Sequence, residues 1–440
     1  MKKIIGILLA LTLTAATFSG CSNAPKETIT DALAQEKAAA HVQMILDGKF
    51  EELTQDFSSK VKAQVSSAQL REAWEKTAGT DTKEYQGTKV EKVTTNPDKS
   101  ITVATDVEQK DKTLKVSLTY QGDGKISGIW FNAVPKIGDI EDNDRYTQQP
   151  IEVGEYKLTG ILTLPKNVKN PPVVVMLQGS GPSDFDETIS ANKPFKDIAN
   201  ALAEKGIATL RYNKRFFQHS ELGATQATVE EEYLEDVSAA IALAKEKVGE
   251  NIYVLGHSLG GMSVARIAKD NKDVVGIISL AGTPRGLEEL IYDQNKASVD
   301  LMDTTKQQKD ELMKTVEKEV AKVKALTKDD GSAPFGFPAK YWLSLKGLDT
   351  LNLSKQLTIP MLMLQGSADF QVYKDKDFDY WKSELAGKDN ATFKLYDNLN
   401  HLFMQSKYKG KMDVTEYDVP GTVEKQVTDD IAQWIADNEK

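Results

Sequence analysis

Cysteine and histidine are scarce in this chain of 440 residues. The single cysteine, Cys21, excludes an internal disulfide, and the four histidines form no His-Glu-x-x-His motif that would bind zinc. A basic excess is also lacking, because 55 Lys and Arg stand against 65 Asp and Glu, for a formal net charge of −10. Proteins that bind nucleic acids concentrate Lys and Arg on one face. The composition therefore predicts no metal, no cofactor and no nucleic-acid partner.

One uncharged apolar run stands at the N-terminus, over residues 4–18, directly after two lysines. It is too short to span a bilayer comfortably and has the length of a signal-peptide core. It ends in Phe18-Ser19-Gly20-Cys21, which resembles the lipobox of bacterial lipoproteins. The resemblance implies a signal peptide over residues 1–20 and lipid attachment at Cys21, hence an extracytoplasmic protein anchored to a bacterial membrane. Ordinary secretory cleavage near Gly20 and an uncleaved anchor remain alternatives.

The segment 21–134 combines two periodicities. Residues 28–74 carry apolar positions at helical spacing, and residues 85–131 alternate with period two, as in strands. This order predicts a small α+β domain with an antiparallel meander. The order, together with the closing segment 126–131, resembles a domain of unknown function with a cystatin-like or nuclear-transport-factor-like (NTF2-like) shape that precedes hydrolases in bacterial lipoproteins. Residues 135–150, polar and bounded by prolines, are predicted to form a linker.

From residue 151 to residue 440 the pattern alternates between strands and helices. The predicted strands are continuous or nearly continuous apolar runs at 157–164, 173–177, 208–212, 252–255, 274–280, 360–364 and 392–396. The predicted helices cover 194–205, 228–247, 259–270 and 422–438. This alternation predicts an α/β fold with a doubly wound, mainly parallel sheet, in which reactive groups follow the carboxyl ends of strands.

A long interruption separates two of these strands. Within it, apolar residues at helical spacing are followed by a cluster of aromatic residues: Leu312, Val316, Val320 and Val323, then Phe335, Phe337, Tyr341 and Trp342. We expect a helical cap at about residues 285–345. One interpretation is a capping subdomain with its own small core. A second interpretation, compatible with the first, is that the same segment forms a roof over a substrate pocket.

The strongest chemical motif follows the strand at 252–255. Gly256-His257-Ser258-Leu259-Gly260 has the form G-x-S-x-G and leads directly into a helix. Glycines around the serine permit the cramped turn that exposes its hydroxyl. We therefore expect Ser258 to be a nucleophile, and the N–H of Leu259 to point at a developing oxyanion.

A serine nucleophile needs a base and a carboxylate that orients the base. His401, just beyond the last strand, is the favoured base; His219 is an alternative, and His257 should point away from the serine. Asp369, in the turn after the penultimate strand, is the favoured acid. The other acids near these strands are Asp349, Asp379 and Asp397.

A second glycine turn follows the strand at 173–177, in Gly179-Ser180-Gly181-Pro182. A dinucleotide-binding fingerprint is excluded because Asp184 stands at the position of its third glycine. The turn more plausibly frees the backbone N–H of Ser180 to act as the second oxyanion donor.

Four segments together resemble the α/β-hydrolases, specifically a group of bacterial serine carboxylesterases. They are residues 179–182, 256–261, 366–372 and 400–403. The resemblance implies hydrolysis of small esters with short to medium acyl chains through an acyl-enzyme formed on Ser258. Two segments depart from the group: Gln178 replaces a usual His, and residues 211–216 replace an Asp-Lys-Arg-Gly turn. A peptidase, an acyltransferase, or a surface-tethered binding protein with a vestigial hydrolase domain remain alternatives.

Overall fold

A computed structural model describes residues 29–79, 85–96, 98–138, 140–219, 222 and 227–439. The predicted signal peptide and Cys21 lie outside these residues. Contacts between Cα atoms divide the described chain into two units. The N-terminal unit comprises residues 29–138 together with 216–219 and 222, and the C-terminal unit comprises residues 140–215 and 227–439. No helix in the described ranges is both long and apolar enough to cross a membrane.

The N-terminal unit packs short helices against an antiparallel sheet. The helices are α1 (Asp31–Leu46), α2 (Phe50–Gln55), α3 (Ser59–Lys62) and α4 (Ser67–Ala78); the strands, in sheet order, are β1 (Gly87–Thr95), β2 (Ile101–Glu108), β3 (Lys112–Tyr120) and β4 (Ile126–Pro135). Helix α4 begins in a capping box between Ser66 and Gln69, which satisfies free N–H groups of its first turn. The predicted α+β domain with an antiparallel sheet is confirmed.

The other face of this sheet carries a charge cluster around the buried side chain of Lys115. The Lys115 ammonium contacts Glu91 and lies 3.1 Å from Asp106 Oδ1. Burial, opposed by Lys115 and reinforced by Glu91, raises the pKa of Asp106 to about 6. Residues 216–219 also belong to this unit, where the Asn132 side chain donates a hydrogen bond to the Phe217 carbonyl.

The C-terminal unit is built on one sheet of eight strands. They are β5 (Tyr146–Val153), β6 (Leu158–Pro165), β7 (Val173–Leu177), β8 (Ala208–Tyr212), β9 (Ile252–His257), β10 (Val274–Leu280), β11 (Met361–Gly366) and β12 (Ala391–Tyr396). Their order is β12-β11-β10-β9-β7-β8-β6-β5, and every pair from β8 to β12 is parallel. The mainly parallel sheet is therefore confirmed.

Strand β5 corrects part of the predicted linker. Residues 146–150 were expected to connect two domains, but they pair antiparallel with β6 at the edge of the sheet. Their polar composition gave no strand pattern. A strand can nevertheless form here because the edge of a sheet tolerates both glutamines and Pro150, which lacks an N–H to donate. Tyr146 and Gln148 are buried, while Gln149 and Pro150 are exposed.

Helices cover both faces of this sheet. Those of the C-terminal unit outside the cap are α5 (Pro194–Ala203), α7 (Glu235–Lys247), α8 (Leu259–Asp270), α12 (Thr350–Gln356), α13 (Asp379–Glu384) and α14 (Lys425–Asn438), and α6 (Arg215–Gln218) joins the two units in sequence. On β7, Val173 and Val175 pack into the core that contains α7 and α8, whereas Val174 and Met176 pack into the core that contains α5 and α14. The sheet is therefore doubly wound, as predicted.

The cap contains α9 (Leu287–Leu301), α10 (Lys306–Ala325) and α11 (Ala339–Lys346). Its core is smaller than the sequence pattern suggested, because Leu312 is 43% exposed and only Val323 on the predicted face of α10 is buried. The aromatic cluster supplies the rest of this core. Trp342 is buried, and its indole N–H donates to the Pro334 carbonyl at 2.9 Å.

Candidate active site

Ser258 stands at the junction between β9 and α8, in a left-handed backbone conformation with φ of 54° and ψ of −118°. Non-glycine residues seldom adopt this conformation, and it persists only where the surroundings enforce it. The Ser258 N–H donates to the Leu280 carbonyl at 2.8 Å, and the Ser258 carbonyl accepts from Met262 N at 2.9 Å. These bonds fix the turn and leave the serine side chain partly exposed.

Two glycines make the turn possible. A Cβ on Gly256 would lie 2.2 Å from the Gly260 carbonyl oxygen, and a Cβ on Gly260 would lie 2.6 Å from the carbonyl oxygens of Leu177 and Gln178. Side chains cannot fit at such distances, so the start of α8 approaches β9 and the end of β7 closely only because glycine occupies both positions. Leu259 is the first residue of α8, and its N–H therefore has no intrahelical acceptor.

His401 and Asp369 meet beyond the carboxyl ends of β12 and β11. The distance between His401 Nδ1 and Asp369 Oδ2 is 2.7 Å, and both side chains are buried. Three other donors hold the carboxylate: the backbone N–H groups of Gln371 and Val372, at 2.7 and 3.0 Å, and the Gln365 amide at 2.9 Å. Because a carboxylate only accepts hydrogen bonds, Nδ1 carries a proton, and in the neutral form of the imidazole the lone pair is on Nε2.

The alternative site residues lie elsewhere. His219 belongs to the N-terminal unit, where its Nδ1 is 3.8 Å from Glu91 Oε1. Asp349 precedes α12, and Asp379 begins α13 and pairs with Lys374 at 2.7 Å. Asp397 accepts a hydrogen bond from the Ser367 hydroxyl at 3.3 Å. Of the candidate acids, Asp369 is the one hydrogen-bonded to His401.

His257, next to the serine, forms a buried ion pair. Its Nδ1 is 2.9 Å from Glu187 Oε1, and its Nε2 is 2.9 Å from the backbone carbonyl of His401. Burial alone would lower the pKa of His257, but the Glu187 carboxylate and the His401 carbonyl outweigh burial and raise it. The ring centroids of His257 and His401 are 4.6 Å apart, so the loop that carries His401 lies directly beside the serine turn.

The loop after β7 passes beside the serine. A Cβ added to Gly179 would lie 3.2 Å from Ser258 Cβ, and the Gly179 N–H donates to Glu187 Oε1 at 2.5 Å. Among the described residues, the Ser180 N–H has no hydrogen-bond acceptor. The predicted oxyanion donors Ser180 and Leu259 therefore both have N–H groups without a protein acceptor, on two segments that approach the serine.

Comparison with known proteins places this chain in a family. A family profile described as serine aminopeptidase, S33, matches residues 190–407, and one described as a protein of unknown function (DUF3887) matches residues 38–129. Among solved structures, Est1E from Butyrivibrio proteoclasticus is 17% identical, with a TM-score of 0.43, and covers 66% of this chain and 98% of its own. Esterase EstD of Thermotoga maritima is 35% identical over an alignment of 416 residues, and the match covers 91% of this chain and 95% of that protein. The chain belongs to the α/β-hydrolase family of esterases.

One departure from the related esterases has a structural explanation. The Gln178 amide donates to the carbonyls of Asp184 and Tyr212, at 2.9 and 2.5 Å. It therefore joins the two ends of the Gly-Ser-Gly-Pro loop to the end of β8. The Gln178 amide anchors the loop without any titratable group, and its hydrogen bonds go to the loop and to β8 rather than to Ser258, His401 or Asp369.

Residues 211–216, which stand where the resemblance implied an Asp-Lys-Arg-Gly turn, supply the three cations of a buried cluster of charges. Arg211 Nε is 2.9 Å from Asp186 Oδ1, and the Arg215 guanidinium contacts both Asp236 oxygens, at 3.1 and 2.7 Å. Lys214 lies between these arginines and binds Glu232 Oε1 at 2.7 Å. Each cation has a carboxylate partner, as burial requires.

Sequence reasoning missed Glu187, Lys214, Glu232 and Tyr233 around this site. A signal was present for Lys214, since a lysine between buried residues directly after an apolar strand needs an acidic partner. Glu232 and Tyr233 gave no comparable signal. They lie in a π-helical turn, Glu230–Leu234, in a segment that the pattern assigned to an ordinary α-helix.

Proposed function

We propose that this esterase hydrolyses small carboxylic esters with short to medium acyl chains through Ser258, His401 and Asp369. Esterase activity follows from the family. The residue roles rest chiefly on the 2.7 Å hydrogen bond between His401 and Asp369, with the strained Ser258 turn held beside the His401 loop.

In this mechanism His401 Nε2 removes the proton from the Ser258 hydroxyl as its oxygen attacks the ester carbonyl. Asp369 holds the imidazole in the required tautomer and stabilises the imidazolium. The N–H groups of Ser180 and Leu259 bind the oxyanion of the tetrahedral intermediate. The imidazolium then protonates the leaving alkoxide, and water, activated by the same imidazole, releases the acid from the acyl-enzyme.

Substitution of the nucleophile tests these assignments. We expect Ser258→Ala to lower kcat on p-nitrophenyl esters by about 10⁵-fold to 10⁶-fold and to abolish labelling by a fluorophosphonate, because the three side chains act as a unit. Ser354→Ala is the matched control: Ser354 is a buried helical serine that donates to the Thr350 carbonyl at 2.8 Å, away from the site. Full activity of Ser258→Ala would contradict the proposal, and an unlabelled but folded wild-type protein would favour a binding function.

Peptide hydrolysis is a second candidate, favoured by the serine aminopeptidase profile that matches residues 190–407. Both reactions form the same acyl-enzyme, but an amide needs a protonated amine leaving group. Comparison of p-nitrophenyl acetate with aminoacyl p-nitroanilides separates them. An esterase hydrolyses the first with the higher kcat/KM, and the reverse preference identifies a peptidase.

We also propose that the protein is extracytoplasmic and is anchored to a bacterial membrane by acylation of Cys21. The support is the Phe18-Ser19-Gly20-Cys21 sequence after an apolar run and the position of the sole cysteine within it. Each buried CH₂ of an acyl chain contributes about 0.8 kcal/mol, so two or more chains would anchor the protein stably. Cys21→Ser should abolish incorporation of an alkyne-labelled fatty acid and release the protein from the membrane fraction, whereas Ser22→Ala should retain both. A membrane-bound, unlabelled Cys21→Ser protein would contradict the lipid anchor.

A further inference from the structure

The peptide that joins Gly179 to Ser180 is held from its carbonyl side. The Gly179 oxygen accepts hydrogen bonds from the Lys214 ammonium at 2.8 Å and from the Tyr233 hydroxyl at 2.6 Å. The peptide unit is planar and trans, so the Gly179 C=O and the Ser180 N–H point in opposite directions. Any contact that fixes the Gly179 oxygen therefore also fixes the direction of the Ser180 N–H.

The hydrogen-bonding capacity of Lys214 is fully used in this arrangement. Its three protons go to the Gly179 oxygen, to Glu232 Oε1 at 2.7 Å and to the Tyr233 hydroxyl oxygen at 2.8 Å. The hydroxyl of Tyr233 accepts from Lys214 and donates its own proton to the Gly179 oxygen. The side chain of Lys214 is 3% exposed, so water does not compete for these bonds.

Glu232 ties this cluster to the loop and to the cap. Its Oε1 also accepts from the Gly181 N–H at 3.3 Å, and its Oε2 accepts from the Tyr341 hydroxyl of α11 at 2.7 Å. The π-helical turn Glu230–Leu234 places the consecutive residues Glu232 and Tyr233 on the same side, against the loop. Such single π-turns within helices are frequent at functional sites.

We propose that Lys214 and Tyr233 are positioning residues that orient and polarise the Gly179–Ser180 peptide, so that the Ser180 N–H stabilises the oxyanion of the reaction. This inference rests on the proposed function. A hydrogen bond to a peptide oxygen strengthens the N–H of the same peptide as a donor, and the effect is larger when the donor to the oxygen is charged and water is excluded. The two residues therefore act on the transition state through the backbone, without touching the substrate.

Tyr233→Phe tests this inference with little disturbance of packing. It removes one donor to Gly179 and keeps the aromatic ring, whose centroid is 4.0 Å from Lys214 Nζ. We expect kcat on p-nitrophenyl acetate to fall by about 5-fold to 50-fold, with KM unchanged, because the lost contact matters most when the oxyanion forms. The affinity for a trifluoromethyl ketone, whose adduct carries an oxyanion, should fall by a similar factor.

Tyr396→Phe is the matched control, since its buried hydroxyl donates to Asp430 at 3.0 Å outside the site. It should retain kcat and ketone affinity. Lys214→Met is a second variant, expected to lower both quantities further while the near-ultraviolet circular dichroism of a folded protein persists. If Lys214→Met does not fold, Tyr233→Phe decides alone.

Two results would overturn the inference: unchanged kcat in Tyr233→Phe, or a reduced kcat with wild-type affinity for the ketone. Failure of the proposed function is distinguishable, because it would appear as an active Ser258→Ala protein. Fluorophosphonate labelling of Ser258 in Tyr233→Phe, slowed but complete, is expected in support of the inference.

Discussion

The buried pair of His257 and Glu187 allows a quantitative prediction. Both ring nitrogens of His257 face acceptors, a carboxylate oxygen and a carbonyl oxygen, each at 2.9 Å. This geometry fits the imidazolium form, in which both nitrogens donate, and the Glu187 carboxylate and the His401 carbonyl outweigh burial and raise the pKa of His257. Glu187→Gln keeps the shape of the side chain and removes the charge that stabilises this cation.

Removing one partner of a buried ion pair costs about 3–5 kcal/mol. We expect about 3 kcal/mol for Glu187→Gln, because the amide oxygen of glutamine still accepts from Gly179 and from His257 Nδ1. Neutral His257 then turns a lone pair on Nε2 toward the His401 carbonyl, and this repulsion should also displace His401 and lower kcat. For a unit of this size, such a loss lowers Tm by about 5 °C.

The stability that the charge of His257 contributes should depend on pH. The pKa of His257 is raised in the folded protein, so the stability from its charge is complete below about pH 6.5 and is lost as pH rises through the folded pKa. The difference in unfolding free energy between wild type and Glu187→Gln should therefore be largest near pH 6 and narrow toward alkaline pH.

Urea unfolding followed by circular dichroism across this pH range measures the difference. Glu250→Gln is the control, because the Glu250 side chain is 88% exposed and its substitution should leave stability unchanged. A difference below about 1 kcal/mol, or one that is constant with pH, would refute the assignment of His257 as a buried imidazolium.

Two further predictions concern other parts of the chain. Gly256→Ala should abolish esterase activity and destabilise the protein, because its Cβ would lie 2.2 Å from the Gly260 oxygen; an active Gly256→Ala enzyme, assayed on p-nitrophenyl acetate, would contradict the close approach. In the N-terminal unit, the raised pKa of Asp106, about 6, means that stability falls as pH rises from about 4 through about 6. Asp106→Asn should remove that fall in urea unfolding, and an unaltered pH profile would argue against the influence of burial and Glu91 on Asp106.

Most of the sheet could be predicted because its strands are buried on both faces. Strands β7, β8 and β10 begin and end where their apolar runs do. Strand β5 was not predicted. It forms the polar edge of the sheet, and the residue pattern within β5 does not reveal that the strand pairs with β6. The segment 228–247 was predicted as one ordinary helix. Glu231 accepts a hydrogen bond from the Thr228 N–H at 2.7 Å, and the chain then forms a π-helical turn that the sequence pattern did not indicate.

At the site, the sequence predicted residues whose role depends on local motifs. Asp369 could be selected over Asp397 from its position after β11, and the structure brings it to His401. Glu187 and Glu232 could not be found this way. Their partners, His257 and Lys214, are distant in sequence, and only the fold brings the opposite charges together.

The N-terminal unit is discontinuous in sequence, and this has a consequence for how the protein is made. Residues 216–219 belong to that unit, and Phe217 accepts a hydrogen bond from Asn132, yet strands β5 to β8 of the other unit separate them along the chain. During synthesis, the ribosome must extrude these four strands before the N-terminal unit has all of its residues. The first domain to leave the ribosome is therefore completed only after half of the strands of the larger sheet have been synthesised, and its final contacts form while that sheet is still being assembled.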